Sequence, residues 1–418
     1  MNGHPRLPFG TARTISVRLL VLVVIGSGFG ACSRHHGTVQ VCEPTGARIE
    51  QPEAGQPVHH PPEASPEATG DGWSVSTLRA ADIDPEPIGL LLQAIETGTY
   101  TKVDSILVAR NGELVLEAYF NGFDRDTKHD TQSVSKSLAS ALAGIAVDKG
   151  LIASIDQPIS AFFPDRWPSV SGDLDRKGRI TLAHLLTMTS GFAADDTWGI
   201  GPARVPAMRR EADWYAHALD LPMARAPGAR FSYHSPTAVL VGGAVEHAAG
   251  EPLSAFAKTH LFGPLGIAEY CWSETRGGQV ATNSGFFLRP RDMLKFGQLY
   301  LDRGEWQGRR ILSQGWVADS TRKQVAWTSA DSAPPKQGDD GFGYLWWTRR
   351  TRPGDDPTFD LFVSSGNGGQ KIVVFPSLGM VTVFTGSHYG EPVGHDQVWE
   401  MLNRYILPAA LAGGQEGT

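Results

Sequence analysis

The segment from Ser133 to Lys149 constrains this chain more than any other. It is rich in Ala and Leu, carries apolar residues at helical spacing (Leu138, Leu142, Ile145, Ala146) and stops at Gly150. That pattern specifies a buried helix with a glycine terminator, which other elements must enclose. Just before it, Ser105–Ala109 and Glu113–Phe120 are strand-like runs around Arg110-Asn111-Gly112. Asn-Gly between β-rich runs is a strong hairpin signal. A helix over Ile88–Thr97 precedes that hairpin.

Residues 160–285 read as helical, with Pro- and Gly-rich turns and few β-branched runs. Towards the C-terminus strands return at Phe342–Thr348, Phe359–Ser364, Lys371–Phe375 and Met380–Thr385. The last two form a second hairpin across Pro376-Ser377-Leu378-Gly379, and a helix from Val393 to Ile406 closes the chain. Strands at both ends with helices between predict an α+β fold: one antiparallel sheet built from both chain ends, flanked by helices, plus a mostly helical insertion domain. The sheet domain takes residues 73–160 and 286–413, and the helical domain 161–285.

The N-terminal residues carry a different message. Arg6, Arg13 and Arg18 precede the apolar run Leu19–Ile25, and small residues follow to Gly30-Ala31-Cys32. This is the pattern of a secretory signal over residues 1–32, with an apolar run too short for a spanning helix. Phe29-Gly30-Ala31-Cys32 resembles a bacterial lipobox with Phe where Leu is usual, which makes Cys32 a candidate for lipidation. The expectation is an exported protein, periplasmic or held on the membrane only through that anchor. Residues 33–72, Pro- and Glu-rich and densest from Pro52 to Pro66, read as a disordered tether, with folding expected to start near Trp73. Three cysteines exclude a disulfide scaffold and a Cys-based zinc site; whether Cys42 and Cys271 pair stays open. His35-His36 and His59-His60 read as solvated. A net charge of −7 without a basic cluster argues against nucleic acid as a partner.

Three short patterns carry chemistry. In Ser133-Val134-Ser135-Lys136 a spacing of three puts hydroxyl and ammonium on one helix face. A serine opening a helix also has free N–H groups and the positive dipole end beside it, which stabilise a developing oxyanion. A desolvated lysine can accept the serine proton. Ser320-Thr321-Arg322-Lys323 has the same spacing, but only the first opens a long apolar helix directly after a hairpin. The second pattern, Phe231-Ser232-Tyr233-His234-Ser235, reads equally as core packing when taken alone. The third, Ser365-Gly366-Asn367-Gly368-Gly369-Gln370, places three glycines between strands; they fit a turn, or a close approach by substrate or backbone.

Taken in order, these patterns resemble the penicillin-recognising serine hydrolases: class C β-lactamases, DD-peptidases and their esterase and amidase relatives. Those families carry Ser-x-x-Lys, then Tyr-x-Asn or Tyr-x-Ser, then a Lys/His/Trp-Thr/Gly-Gly strand. Further similarities are Leu185–Phe192, Leu261–Gly266, Arg291–Gly297 and Gly343–Trp347, so the resemblance covers residues 75 to 410. The subgroup it is most similar to is that of 6-aminohexanoate-dimer hydrolases and related carboxylesterases. The resemblance implies a site between sheet and helical domain, with Ser133 as nucleophile and Lys136 and Tyr233 as its proton-transfer partners. It also implies an oxyanion hole from the N–H groups of Ser133 and Gln370, and substrate contacts from Ser235, Asn367, Gly368 and Gly369. It implies a small-molecule ester or amide substrate, with no metal or organic cofactor.

Two departures bear on the substrate. Asn367 stands where β-lactamases and DD-peptidases usually have Lys, and losing a hydrogen bond to a charged group costs roughly 1.5–3 kcal/mol. Ser235 replaces the commoner Asn. Both favour an esterase or linear-amide hydrolase over a β-lactamase or DD-peptidase. A non-catalytic cell-envelope binding protein on the same fold is the remaining alternative; intact Ser133, Lys136 and Tyr233 count against it. No Gly-x-Ser-x-Gly elbow occurs, which disfavours an α/β-hydrolase. Trp198, Trp214, Tyr344, Trp346 and Trp347 are candidates for an acyl pocket, although large aromatics more often fill cores.

Overall fold

Asn111 and Gly112 adopt φ of 52° and 83°, the left-handed pair that a two-residue hairpin turn requires. They join the first two long strands of the sheet, as the Asn-Gly signal predicts. The computed structural model describes residues 41–42, 57–59, 61–193, 208–275, 277–327, 340–350 and 359–412.

Among the described residues ten strands make the main sheet: β1 (Val58–His59), β2 (Ser74–Val75), β3 (Val103–Arg110), β4 (Glu113–Tyr119), β5 (Val325–Ala326), β6 (Gly341–Phe342), β7 (Trp347–Arg350), β8 (Asp360–Ser365), β9 (Lys371–Phe375) and β10 (Met380–Gly386). Their order across the sheet is β5-β6-β7-β8-β9-β10-β3-β4-β1, with β2 pairing parallel to β4. The closing step is the antiparallel pairing of β10 with β3, Val383 opposite Leu107. The sheet is therefore assembled from both ends of the chain, as expected.

Alternation along the strands divides the core. Ile372, Val374, Val381 and Val383 face one cluster, and Val373, Phe375, Met380 and Phe384 face the other. The second cluster is covered by α1 (Pro85–Glu96) and by helices over Val393–Ala412. The first is covered by α2 (Val134–Asp148) and, further along the chain, by the helix Pro290–Leu301. That second helix lies so close that a Cβ on Gly297 would stand 2.5 Å from Val381. Within α2 every residue from Val134 to Ala146 is buried, and Gly150 ends the turn after it at φ 72°. The enclosed helix read from the sequence is thus the central one.

The helix Ser235–Ala249 packs on α2, and helices over Leu182–Leu186 and Trp214–Leu219 pack on it in turn. A smaller sheet orders Val41–Cys42, Tyr270–Ser273, Phe286–Leu288 and His129–Asp130 side by side. Cys271, in that sheet, is disulfide-bonded.

Two expectations need correction. The segment assigned to a disordered tether is partly built into the fold. Val58 and His59 pair with Tyr119 and Ala118, and Val41 and Cys42 pair parallel to Trp272 and Ser273. Arg291 donates to the Glu67 carbonyl at 2.8 Å and to Thr69 Oγ1 at 2.7 Å. Attachment here is by backbone pairing and one buried guanidinium, so it needs no apolar side chains and leaves no periodic trace. The strand expected over Phe342–Thr348 is two strands, β6 and β7, folded back on each other with Leu345 at φ 59° in the connection.

Candidate active site

The site is organised around the start of α2. Ser133 is its N-cap residue, at φ −66° and ψ −4°. One turn on, Lys136 is almost completely buried, and its Nζ donates to Ser133 Oγ at 2.8 Å and to the Asn283 carbonyl at 2.9 Å. The three-residue spacing thus produces the contact expected of it. The rival pattern does not: Ser320 is buried on the helix Gln314–Thr321, where its Oγ donates to the Val317 carbonyl at 3.1 Å. Arg322 is extended, which takes Lys323 out of the helical register.

Tyr233 comes from a separate segment, just before the helix Ser235–Ala249. Lys136 Nζ lies 5.0 Å from the centroid of its ring. The ring stacks on Trp347 at 5.4 Å and 27°, with Phe342 edge-on at 6.3 Å. Its segment is fastened to the Leu185–Phe192 region, where Ser232 N donates to the Met188 carbonyl at 2.8 Å and buried His234 bonds Ser190 Oγ at 3.1 Å. Ser235 opens the helix that follows and is 7 % exposed.

The glycine-rich connection between β8 and β9 abuts the segment that leads into Ser133. A Cβ on Gly366 would stand 2.3 Å from the Thr131 carbonyl, so a side chain there would push the strand away from the segment leading to Ser133. Gly368 and Gly369 have φ of 91° and 102°, which other residues rarely adopt. Asn367 is exposed, and its Oδ1 accepts from Gly390 N at 2.9 Å. The Gln370 side chain is buried and donates to the Gly386 carbonyl at 2.5 Å, which fixes the peptide that carries its own N–H. Among the described residues, neither the Ser133 N–H nor the Gln370 N–H has an acceptor.

Of the other expected residues, Trp214, Tyr344 and Trp346 are core, and only Trp347 reaches the site. Trp198 and Cys32 lie outside the described residues. His59 bonds Glu96 at 2.6 Å, and the described residues contain no cluster of His, Cys, Asp and Glu that could hold a metal ion. Asn283, which holds Lys136, was missed by sequence reasoning. It contributes a backbone carbonyl, which any residue type would supply.

The Beta-lactamase family model matches residues 93–400, and the chain belongs to that family. A curated 6-aminohexanoate-dimer hydrolase of Paenarthrobacter ureafaciens is 26 % identical over 262 residues. That match takes in 59 % of this chain and 64 % of that protein, so the chain spans less than two thirds of the relative's length. Among solved structures, one from Bacillus anthracis, provisionally named a 6-aminohexanoate-dimer hydrolase, has a TM-score of 0.60 at 21 % identity and covers 86 % of this chain and 87 % of its own. Simvastatin synthase from Aspergillus terreus has a TM-score of 0.60 at 17 % identity, covering 80 % and 100 % respectively. These structural likenesses establish the β-lactamase/transpeptidase-like fold.

Proposed function

We propose that the chain is a serine hydrolase that opens esters or linear amides through an acyl-enzyme on Ser133. The observation that carries this reading is the 2.8 Å hydrogen bond between Lys136 Nζ and Ser133 Oγ, made by a buried lysine. In its neutral form Lys136 presents a lone pair to the serine hydroxyl while still donating to the Asn283 carbonyl. Ser133 Oγ attacks the carbonyl carbon, its proton passes to Lys136, and Tyr233 relays a proton to the departing alcohol or amine. Water activated by the same pair then releases the acid. The N–H groups of Ser133 and Gln370 receive the oxyanion. Ser235, Asn367, Gly368 and Gly369 line the substrate side.

The preference for open-chain substrates rests on Asn367, which offers no cation to a substrate carboxylate and whose Oδ1 is engaged with Gly390. The similarity to the Paenarthrobacter enzyme, named for a linear amide, points the same way. Export, and anchoring through a lipid on Cys32, belong to the same proposal and rest on the sequence of residues 1–32.

The test is labelling of the full chain with a fluorophosphonate, followed by peptide mapping. A single adduct on Ser133, absent from Ser133→Ala and slowed in Lys136→Ala and Tyr233→Phe, is the expected result. An adduct elsewhere, or none on folded protein, rejects the reading. Faster turnover of p-nitrophenyl butyrate than of nitrocefin is expected; the reverse order would favour a β-lactamase.

A further inference from the structure

Gln132, the residue before the proposed nucleophile, sits at φ 52°. A side-chain-bearing residue holds that left-handed conformation only where its surroundings impose it. Here one side chain does so. Asp130 Oδ1 accepts from Gln132 N at 2.9 Å, and Asp130 Oδ2 accepts from Gln132 Nε2 at 2.5 Å. The same Oδ1 also accepts from Gly285 N at 3.3 Å.

Gly285 ends the run Asn283-Ser284-Gly285, whose first carbonyl receives Lys136 Nζ. A single carboxylate therefore holds the backbone on the serine side of the Ser133–Lys136 contact and the loop on its lysine side. We infer that Asp130 is a positioning residue that sets the Ser133–Lys136 geometry by clamping Gln132 in its left-handed turn and Gly285 in register with it.

This inference rests on the proposed role of Ser133. It assigns Asp130 no contact with substrate and no proton. The groups facing its carboxylate include the Gln132 N–H and side-chain amide, the Gly285 N–H, the Tyr389 hydroxyl and the Arg209 guanidinium, whose charge acts on it from the Ser284 side. The local strand pairing does not depend on this side chain. His129 and Asp130 pair with Leu288 and Phe287 through the backbone, and Thr131 N and Oγ1 both donate to the Phe286 carbonyl, at 2.9 and 2.7 Å.

Four full-length proteins test the inference: wild type, Asp130→Ala, Asp130→Asn and the double variant Asp130→Ala/Gln132→Gly. The readouts are the fluorophosphonate labelling rate, kcat and KM for an ester, and the melting temperature. Asp130→Ala should label at least about thirtyfold more slowly with kcat reduced in parallel, KM within about threefold and little change in melting temperature. Asparagine keeps an oxygen for both backbone N–H groups, and Gln132 can turn its amide to meet it, so Asp130→Asn should stay within about threefold of wild type. Glycine adopts the left-handed φ without support, so the double variant should recover about tenfold over Asp130→Ala. Near-wild-type labelling by Asp130→Ala overturns the inference. So does an Asp130→Asn protein as slow as Asp130→Ala, or a double variant with no recovery. Failure of wild type itself to label at Ser133 would instead overturn the proposed function.

Discussion

The carbonyl oxygen of Thr131 stands 2.3 Å from the point where a Cβ on Gly366 would lie. The end of β8 and the segment entering Ser133 therefore touch backbone to backbone. In the proposed oxyanion hole this contact would govern the spacing of the Ser133 and Gln370 N–H groups. Gly366→Ala should move the two apart, lowering kcat by about a hundredfold, as misplacements of roughly 1 Å do. The overpacking should cost about 1–3 kcal/mol in urea denaturation. An alanine variant with wild-type kcat would show that the contact does not control the site.

Trp347 supports the Tyr233 ring by stacking on it at 5.4 Å. Replacing it with leucine keeps bulk but removes the stack, worth about 0.5–1.5 kcal/mol. Trp347→Leu should lower kcat by roughly tenfold through mispositioning of Tyr233. Fluorophosphonate labelling of Ser133 should slow by less than ester turnover does, since fluoride leaves without being protonated. Comparing ester turnover with labelling rate in this one variant separates the two effects.

Arg291 is 4 % exposed and pairs with Glu117 through two hydrogen bonds, one of them at 2.7 Å, while reaching Glu67 and Thr69. Arg291→Met strands a buried carboxylate and should cost about 3–5 kcal/mol. It should also release the Pro-rich residues 61–72, seen as new proteolytic cleavage there at temperatures where wild type is intact. Cleavage unchanged from wild type would mean that the β1 pairing alone holds the segment.

Asp104 and His129 are both buried, with Asp104 Oδ2 4.0 Å from His129 Nδ1. Burial raises Asp104 from 3.8 to about 6, opposed by hydrogen bonds from Ser387 and Asn121. Between those values the folded protein keeps a proton that the unfolded chain has lost, so this group makes stability fall as pH rises. Burial lowers His129 from 6.5 to about 3. In that window the unfolded chain binds the extra proton, and stability rises with pH. The two slopes oppose each other between about pH 4 and 6. Asp104→Asn removes the falling one, so the variant should gain up to about 3 kcal/mol more than wild type over that range. Urea midpoints at three pH values read this directly; parallel curves would contradict it.

The parts legible in the sequence are those in which side-chain period and turn chemistry act alone. Helix α2 follows from its apolar spacing and Gly150, and the β3–β4 hairpin from Asn111-Gly112. The β9–β10 hairpin follows in the same way from its turn at Pro376–Gly379. The Ser133–Lys136 contact is the meeting that helical geometry dictates for residues three apart. What escaped is carried by backbone atoms. The Asn283 carbonyl that holds Lys136 and the edge pairing of Val58 and His59 leave no mark in residue type. The break at Leu345 escaped for a different reason. Tyr344 and Trp346 look like strand residues because both are buried, yet they are buried on a turn.

The joining of β10 to β3 has a consequence for synthesis. The helix bearing Ser133 leaves the ribosome long before Gln370 and the strand that aligns it, and contacts between such distant segments form slowly. A nascent chain can pack α2 among its helical neighbours while the strands that complete the sheet beside it are still untranslated. A chain cut short before Met380 would keep Ser133, Lys136 and Gln370 but lack β10, the one strand that joins β9 to β3 and so ties the late strands to the early hairpin.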